Sequence, residues 1–300
     1  MLTERTQAWF ESGKIIELEE HPAHRIFLRE REGDGPLVLF LHGYPSSSYD
    51  WRFVLDRLPG KRSVCFDFLG FGLSDKPSNH VYSLHEQADI TEAILRRCQR
   101  DGERVILVAH DMGTSVATEL LARALEGRPG RAPRTTFDRV LLFNGSMVVE
   151  RASLTLSQKM LRSRLGPLFA RWSNETLFRA QFARIFSQAH PLRPEEAADQ
   201  WSLLAHAGGN RILDRLTSYI HERTVHASRW HGALRHWPGQ LELAWGMRDP
   251  VATASVLDAV LTLRPHAPLT RWDELGHYPQ IEGPGAVVAV IERLVREVTG

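Results

Sequence analysis

Two cysteines in 300 residues, Cys65 and Cys98, leave this chain without a disulfide framework and without the paired spacing of a zinc site. Cys65 falls in an apolar run and reads as a small core residue. Neither sign of charge is in excess: 37 Lys and Arg face 36 Asp and Glu. That balance leaves no overall footprint for nucleic acid or an anionic membrane. Short basic clusters, Arg96-Arg97 and the arginine-rich stretch 128–134, read as solvated surface because acids are interspersed nearby. No apolar run approaches bilayer-spanning length, so no transmembrane segment is expected, and residues 1–13 lack the apolar segment of a secretory signal. Internal repeats and low-complexity tracts are missing too. These absences lead to the expectation of a soluble, cytoplasmic protein, with no metal site and no cofactor motif.

What is present is a core: 43% of the residues are hydrophobic. Apolar runs at 37–41, 64–67, 105–109, 140–143 and 241–245 suit strands buried on both faces of a parallel sheet. Shorter strands are expected at 15–18, 25–28 and 269–272. Helical patterns separate most of them, notably 51–58, 83–98, the stretch after 111, 256–263 and 284–298. Strand alternating with helix predicts an α/β fold, a mostly parallel central sheet with flanking helices. From 146 to 223 strand signals vanish and apolar residues recur at helical spacing, which predicts an inserted helical cap. The domain reading is therefore 1–145 as the first part of the core, 146–223 as cap, and 224–300 as the second part of the core. In such sheets ligands bind at the carboxyl ends of the strands. His42, Asp67, Asp111 and Asn144 all stand at such ends.

One stretch organises the rest. Val105-Ile106-Leu107-Val108-Ala109-His110 runs into Asp111-Met112-Gly113, and a helical pattern follows with Val116, Leu120 and Ala124 on one face. A strand that turns sharply into a helix at a reactive residue, with glycine two positions on, has the form of a nucleophile elbow, here with Asp at the apex instead of Ser. Asp249, in Gly246-Met247-Arg248-Asp249-Pro250, and His277 complete the chain order nucleophile, acid, histidine. An Asp nucleophile is already ionised near neutral pH and needs no base to attack a saturated carbon. His277, oriented by Asp249, is then free to activate the water that hydrolyses the resulting alkyl ester. The backbone N–H groups of Tyr44 and Met112 are the candidates to hold the oxyanion. Asn144 ends a strand but cannot serve as an ionised partner for the histidine. Asp67 and Asp75 flank a glycine loop and read as structural. His110 reads as a hydrogen-bonding residue of the elbow.

His42-Gly43-Tyr44-Pro45 and Ala109-His110-Asp111-Met112-Gly113 resemble the epoxide-hydrolase and haloalkane-dehalogenase branch of the α/β-hydrolases. PSSSYDW from Pro45, DFLGFGLSDKP from Asp67, WHGAL from Trp230 and HYPQIEGP from His277 are similar to the mesoderm-specific transcript family within that branch. The resemblance covers nearly the whole chain. It implies the α/β-hydrolase fold with a helical cap, and a cis Tyr44–Pro45 bond. Two departures bear on the substrate. Met112 stands where the dehalogenases usually carry a Trp whose N–H helps hold the halide. Epoxide hydrolases usually offer two cap tyrosines, and of the five tyrosines here only Tyr219 falls in the cap. Tyr219 and Trp51 are the candidates to meet the substrate or its leaving group. The expected partners are thus a small apolar substrate and a catalytic water. An epoxide is the favoured substrate. An alkyl halide, ester or lyase chemistry on the same scaffold, or a non-catalytic binding role, are the alternatives.

Overall fold

The structure, a computed structural model, describes residues 1–18, 21–127 and 137–300. The arginine-rich stretch 128–134 lies outside the described residues. Among the described residues eight strands form one sheet: β1 (Lys14–Leu18), β2 (His21–Arg31), β3 (Asp34–Leu41), β4 (Lys61–Phe66), β5 (Val105–His110), β6 (Arg139–Phe143), β7 (Gln240–Gly246) and β8 (Leu269–Trp272). Their order across the sheet is β1-β2-β4-β3-β5-β6-β7-β8. The β1–β2 and β2–β4 pairs are antiparallel, and every later pair is parallel.

The alternation of side chains along a strand explains the two-sided core. On β3, Leu37, Leu39 and Leu41 enter one apolar cluster, while Val38 and Phe40 enter the other. On β5, Leu107 and Ala109 follow the first set, and Ile106 and Val108 the second. Both strands are buried along their central lengths, which requires a layer of helix on each face.

Helices α1 (Glu4–Glu11), α2 (Arg52–Asp56), α3 (Leu84–Cys98) and α4 (Met112–Glu126) precede the long insertion. Ser83 caps α3 by accepting the Glu86 N–H at 3.0 Å. The insertion holds α5 (Leu156–Leu161), α6 (Gly166–Trp172), α7 (Glu175–Phe182), α8 (Pro194–Ala205), α9 (Leu213–Leu216) and α10 (Ser218–Val225). Next, α11 (Ala227–His236) packs on α4, and α12 (Ala254–Leu263), α13 (Pro279–Glu282) and α14 (Pro284–Thr299) complete the fold. Helix α14 lies against β3 and α2. Cys65 and Cys98 are both buried free thiols. Among the described residues no helix is long and apolar enough to cross a membrane.

Helix α1 is an element that sequence periodicity does not announce. Its faces are largely polar, and it is held from outside. Trp9 packs against Phe27 and Tyr49, and Arg5 bonds Asp199 of α8 at 2.7 Å.

Candidate active site

The site begins where β5 ends. Asp111 takes φ +45° and ψ −112°, a backbone state that L-residues rarely adopt and that persists only where the surroundings over-determine it. Those surroundings are visible. The Asp111 carbonyl accepts the Thr114 N–H at 3.1 Å and the Thr114 hydroxyl at 2.6 Å. Gly113 lies so close to β3 that a Cβ there would stand 2.7 Å from the Leu41 and His42 carbonyl oxygens. Gly43 likewise leaves room for Asp111, whose own Cβ would be 2.7 Å from a Cβ at position 43. The strand–helix turn therefore requires glycine at both positions.

The Asp111 carboxylate is buried, and its Oδ2 accepts the Tyr44 N–H at 2.9 Å. The Tyr44–Pro45 bond is cis. Met112 is the first residue of α4, so its N–H has no carbonyl partner within the helix. The Tyr44 N–H thus meets the carboxylate, and Asp111 stands at the positive end of α4.

His277 follows β8, and Asp249 follows β7. Their side chains meet at 2.7 Å between Nδ1 and Oδ2. Asp249 is further held by the Asn144 amide at 2.7 Å and by the Val251 and Ala252 N–H groups at 2.7 and 3.0 Å. Burial works to raise Asp249, but His277, Asn144 and the Val251 N–H outweigh it and hold the carboxyl below its usual range. Burial likewise opposes charge on His277. The charge and hydrogen bond of Asp249, with Asp111 and Glu282 adding, push it up to about 9. His110 backs this arrangement. Its Nε2 donates to the His277 carbonyl at 2.6 Å and its Nδ1 accepts from Gln280 at 3.0 Å, and burial, with the neighbouring His277, depresses it to about 3.

Asp111 and His277 line a cavity of about 330 Å³, within the range of small-molecule sites. Its other walls come from Tyr44 and Pro45 and from the helices of the insertion, through Gln158, Met160, Leu161, Phe169, Trp172, Phe178 and Phe182. The lining is mostly apolar.

The alpha/beta hydrolase fold family matches residues 36–284, almost the whole span from β3 to the start of α14. The chain is an α/β hydrolase. It is 52% identical over 264 residues to LipZ of Mycobacterium tuberculosis, covering 87% of this chain and 89% of LipZ. The resemblance to the mesoderm-specific transcript family is borne out: the mouse protein of that name is 33% identical over 292 residues, covering 94% of this chain and 85% of its own. Among solved structures, the haloalkane dehalogenase DbeA of Bradyrhizobium elkani superposes with a TM-score of 0.76 over 96% of this chain and 98% of its own, at 21% identity. That likeness is one of fold.

Within this α/β hydrolase, the residues expected from sequence fall into three groups. Asp111, His277, Asp249 and Tyr44 are brought together as described, and Met112 follows Asp111 as the first residue of α4. Tyr219 approaches them from α10 but lies behind the cavity wall. Its ring packs on Tyr44 at 5.5 Å between centroids, and its hydroxyl accepts from Gln158 Nε2 at 3.1 Å. Burial, reinforced by Asp111, raises the Tyr219 phenol well above its usual range, so it stays protonated and keeps a proton to donate. Trp51 corrects an expectation. It is fully buried against Phe40 and Phe143 and forms no part of the cavity wall. The reason is local: Ser48–Trp51 is a short 3-10 turn that directs Trp51 under the sheet. Trp201 packs at a tilt against Phe178, and Trp230 donates to Glu119 at 2.7 Å, while Trp172 stands on the cavity wall. Asp67 is structural as expected, accepting from Ser48 N–H at 2.7 Å and Leu73 N–H at 2.6 Å.

Sequence reasoning passed over Arg223. It sits one helical turn beyond Tyr219 on α10, buried, with its guanidinium over the Tyr219 ring at 4.7 Å. Its Nε donates to Ser115 Oγ at 2.8 Å and its Nη2 to the Asp111 carbonyl at 3.2 Å, and Nη2 is 3.8 Å from Asp111 Oδ1. The four-residue spacing from Tyr219 was the available signal, because residues so spaced share a helix face.

Proposed function

We propose that this α/β hydrolase opens an epoxide through an alkyl ester on Asp111, which a water activated by His277 then hydrolyses. The observation that carries this reading is the Tyr44 N–H on Asp111 Oδ2, which turns Oδ1 into the attacking atom and leaves Oδ2 where an oxyanion is stabilised. In the first step Oδ1 forms a bond to an epoxide carbon as the ring C–O bond breaks. The Tyr219 hydroxyl, bonded to Gln158 behind the cavity wall, turns toward the cavity in this step and gives the freed oxygen the proton that its burial preserves. In the second step His277 removes a proton from water as the water oxygen attacks the Asp111 carboxyl carbon. The tetrahedral oxyanion rests on the N–H groups of Tyr44 and Met112. Collapse frees the diol and restores Asp111, and the proton taken by His277 returns to Tyr219 through solvent, for a net addition of one water. Residues 146–223 serve as the cap that closes a small apolar substrate over this site. Arg223 stabilises the carboxylate that the second step restores, since esterification leaves its guanidinium without a counter-charge.

An alkyl halide would react through the same ester, but the Met112 side chain has no N–H to offer the departing halide. His277→Gln incubated with a panel of terminal epoxides and alkyl bromides separates the cases. An Asp111-containing peptide heavier by the mass of the epoxide is expected, and no adduct in Asp111→Asn. Tyr219→Phe is expected to slow epoxide adduct formation by roughly 100-fold or more and to leave bromide adducts unaffected. Turnover of any panel member by the native enzyme without an Asp111 adduct in His277→Gln defeats the mechanism.

A further inference from the structure

The cavity opens through a face that the chemistry does not use. Trp172, Leu165, Leu177 and Leu168 are 64%, 58%, 45% and 40% exposed. Leu165, Leu168 and Trp172 follow helical spacing along one face of α6 and the residue before it. Trp172 and Leu177 also line the cavity, so exposed apolar surface and cavity wall are continuous. Apolar surface gathered this way into one patch marks an interaction site.

The charge around this patch is one-sided. Residues 146–190 hold seven Arg or Lys and two Glu, although the whole chain is only +1. The near-neutral total therefore conceals a basic insertion on a net acidic body. Lys159, Arg162, Arg164, Arg171 and Arg184 are exposed, and among the described residues none of the five has a carboxylate partner. Arg179 does pair, with Glu175 at 3.7 Å. Arg171 follows Leu168 by three positions, which places the cation at the border of the apolar stripe.

We propose that this face docks on an anionic lipid bilayer and that the cavity receives a lipophilic substrate from it. Leucines and a tryptophan seat at the boundary of headgroups and acyl chains, and unpaired guanidinium groups meet lipid phosphates. A second copy is the poorer occupant. Pairing this face with itself would set cation against cation, with two Glu per chain to offset seven. The substrate consequence rests on the cavity being the substrate site, as proposed above, but docking itself does not depend on chemistry at Asp111.

Vesicle co-sedimentation of the full chain tests it. Binding is expected to vesicles of phosphatidylcholine with a third phosphatidylglycerol at low salt. Pure phosphatidylcholine should bind weakly, and 0.5 M salt should release the protein. Arg164→Glu/Arg171→Glu is expected to weaken binding by roughly 25-fold or more, at about five-fold per arginine lost. Leu168→Glu should weaken it independently of salt. All three side chains are exposed, so unchanged thermal melting shows that the variants fold. Failure of the native protein to bind anionic vesicles at low salt overturns the proposal, and so does equal binding by the variants. A native dimer that Leu168→Glu dissociates, without vesicle binding, assigns the face to a second copy instead. Loss of the Asp111 adduct in the preceding experiment with vesicle binding intact would remove the chemistry and leave the docking surface.

Discussion

His277 carries charge against its surroundings. Full burial disfavours the imidazolium, yet two carboxylates, Asp249 in direct contact and Asp111 across the cavity, raise it to about 9. A histidine raised above its unfolded value of about 6.5 adds stability that is complete below that value and is lost as pH rises through the folded one. The stability difference between the native protein and His277→Gln should therefore be largest near pH 6 and shrink steadily to pH 9 and beyond. Urea unfolding at a series of pH values reads it, and a difference that does not vary with pH would refute the assignment. The same electrostatics serve the proposed reaction. Esterification removes the Asp111 charge, which lowers His277 toward the range where it can accept a proton. At this scale the sequence was informative for groups that end strands, since topology brings strand ends together. Asp111, Asp249 and His277 were legible for that reason. Arg223 and Gln158 were not, because neither ends a strand, and for Arg223 only the spacing from Tyr219 hinted at a shared buried face.

The elbow shows how an element stores a constraint. Asp111 holds its positive φ because β5, α4 and β3 meet without room for a side chain at Gly113. The neighbours of that missing Cβ are backbone carbonyl oxygens of the central strand, which cannot rotate away. Gly113→Ala should therefore cost about 1–3 kcal/mol of stability, the ordinary penalty of overpacking a rigid site. It should also shift α4 and with it the Met112 N–H. Denaturant titration checks the first effect, and stability equal to the native protein's would show that the strand yields. The central strands were readable as apolar runs because burial on two faces leaves little compositional freedom, and the half-exposed edge strands β1 and β8 were readable as short runs. Helix α1 was not, since its stability lies in contacts with residues nearly 200 positions away. Trp51 was misplaced for a related reason. Its position just after the Tyr44 loop put it near the site in sequence, while the 3-10 turn at Ser48–Trp51 aimed it into the core.

Across the molecule, Asp199 of α8 ties three regions that sequence order separates. Its carboxylate accepts from Thr3 Oγ1 at 2.6 Å, Arg5 Nε at 2.7 Å and Tyr49 Oη at 2.8 Å. Thr6 and Ser202 hydroxyls meet alongside at 3.0 Å, and Gln200 donates to Asp50 at 2.7 Å. The chain that supplies the Tyr44 donor, the helix before β1 and a helix of the insertion are thus pinned at one buried carboxylate. Arg5 is largely solvated, so its ion pair alone is a minor contribution. The hydrogen bonds inside are the larger one, because their loss leaves buried donors unpaired. Asp199→Asn keeps the shape but turns one acceptor into a donor that faces donors. It should cost about 1–3 kcal/mol, and it should loosen α1 and α8 together while β5 keeps its protection. Hydrogen exchange resolved by segment distinguishes this from general weakening. Faster exchange in α1 with α8 unchanged would mean that the insertion is held by its own packing and that the N-terminal helix is only a passenger.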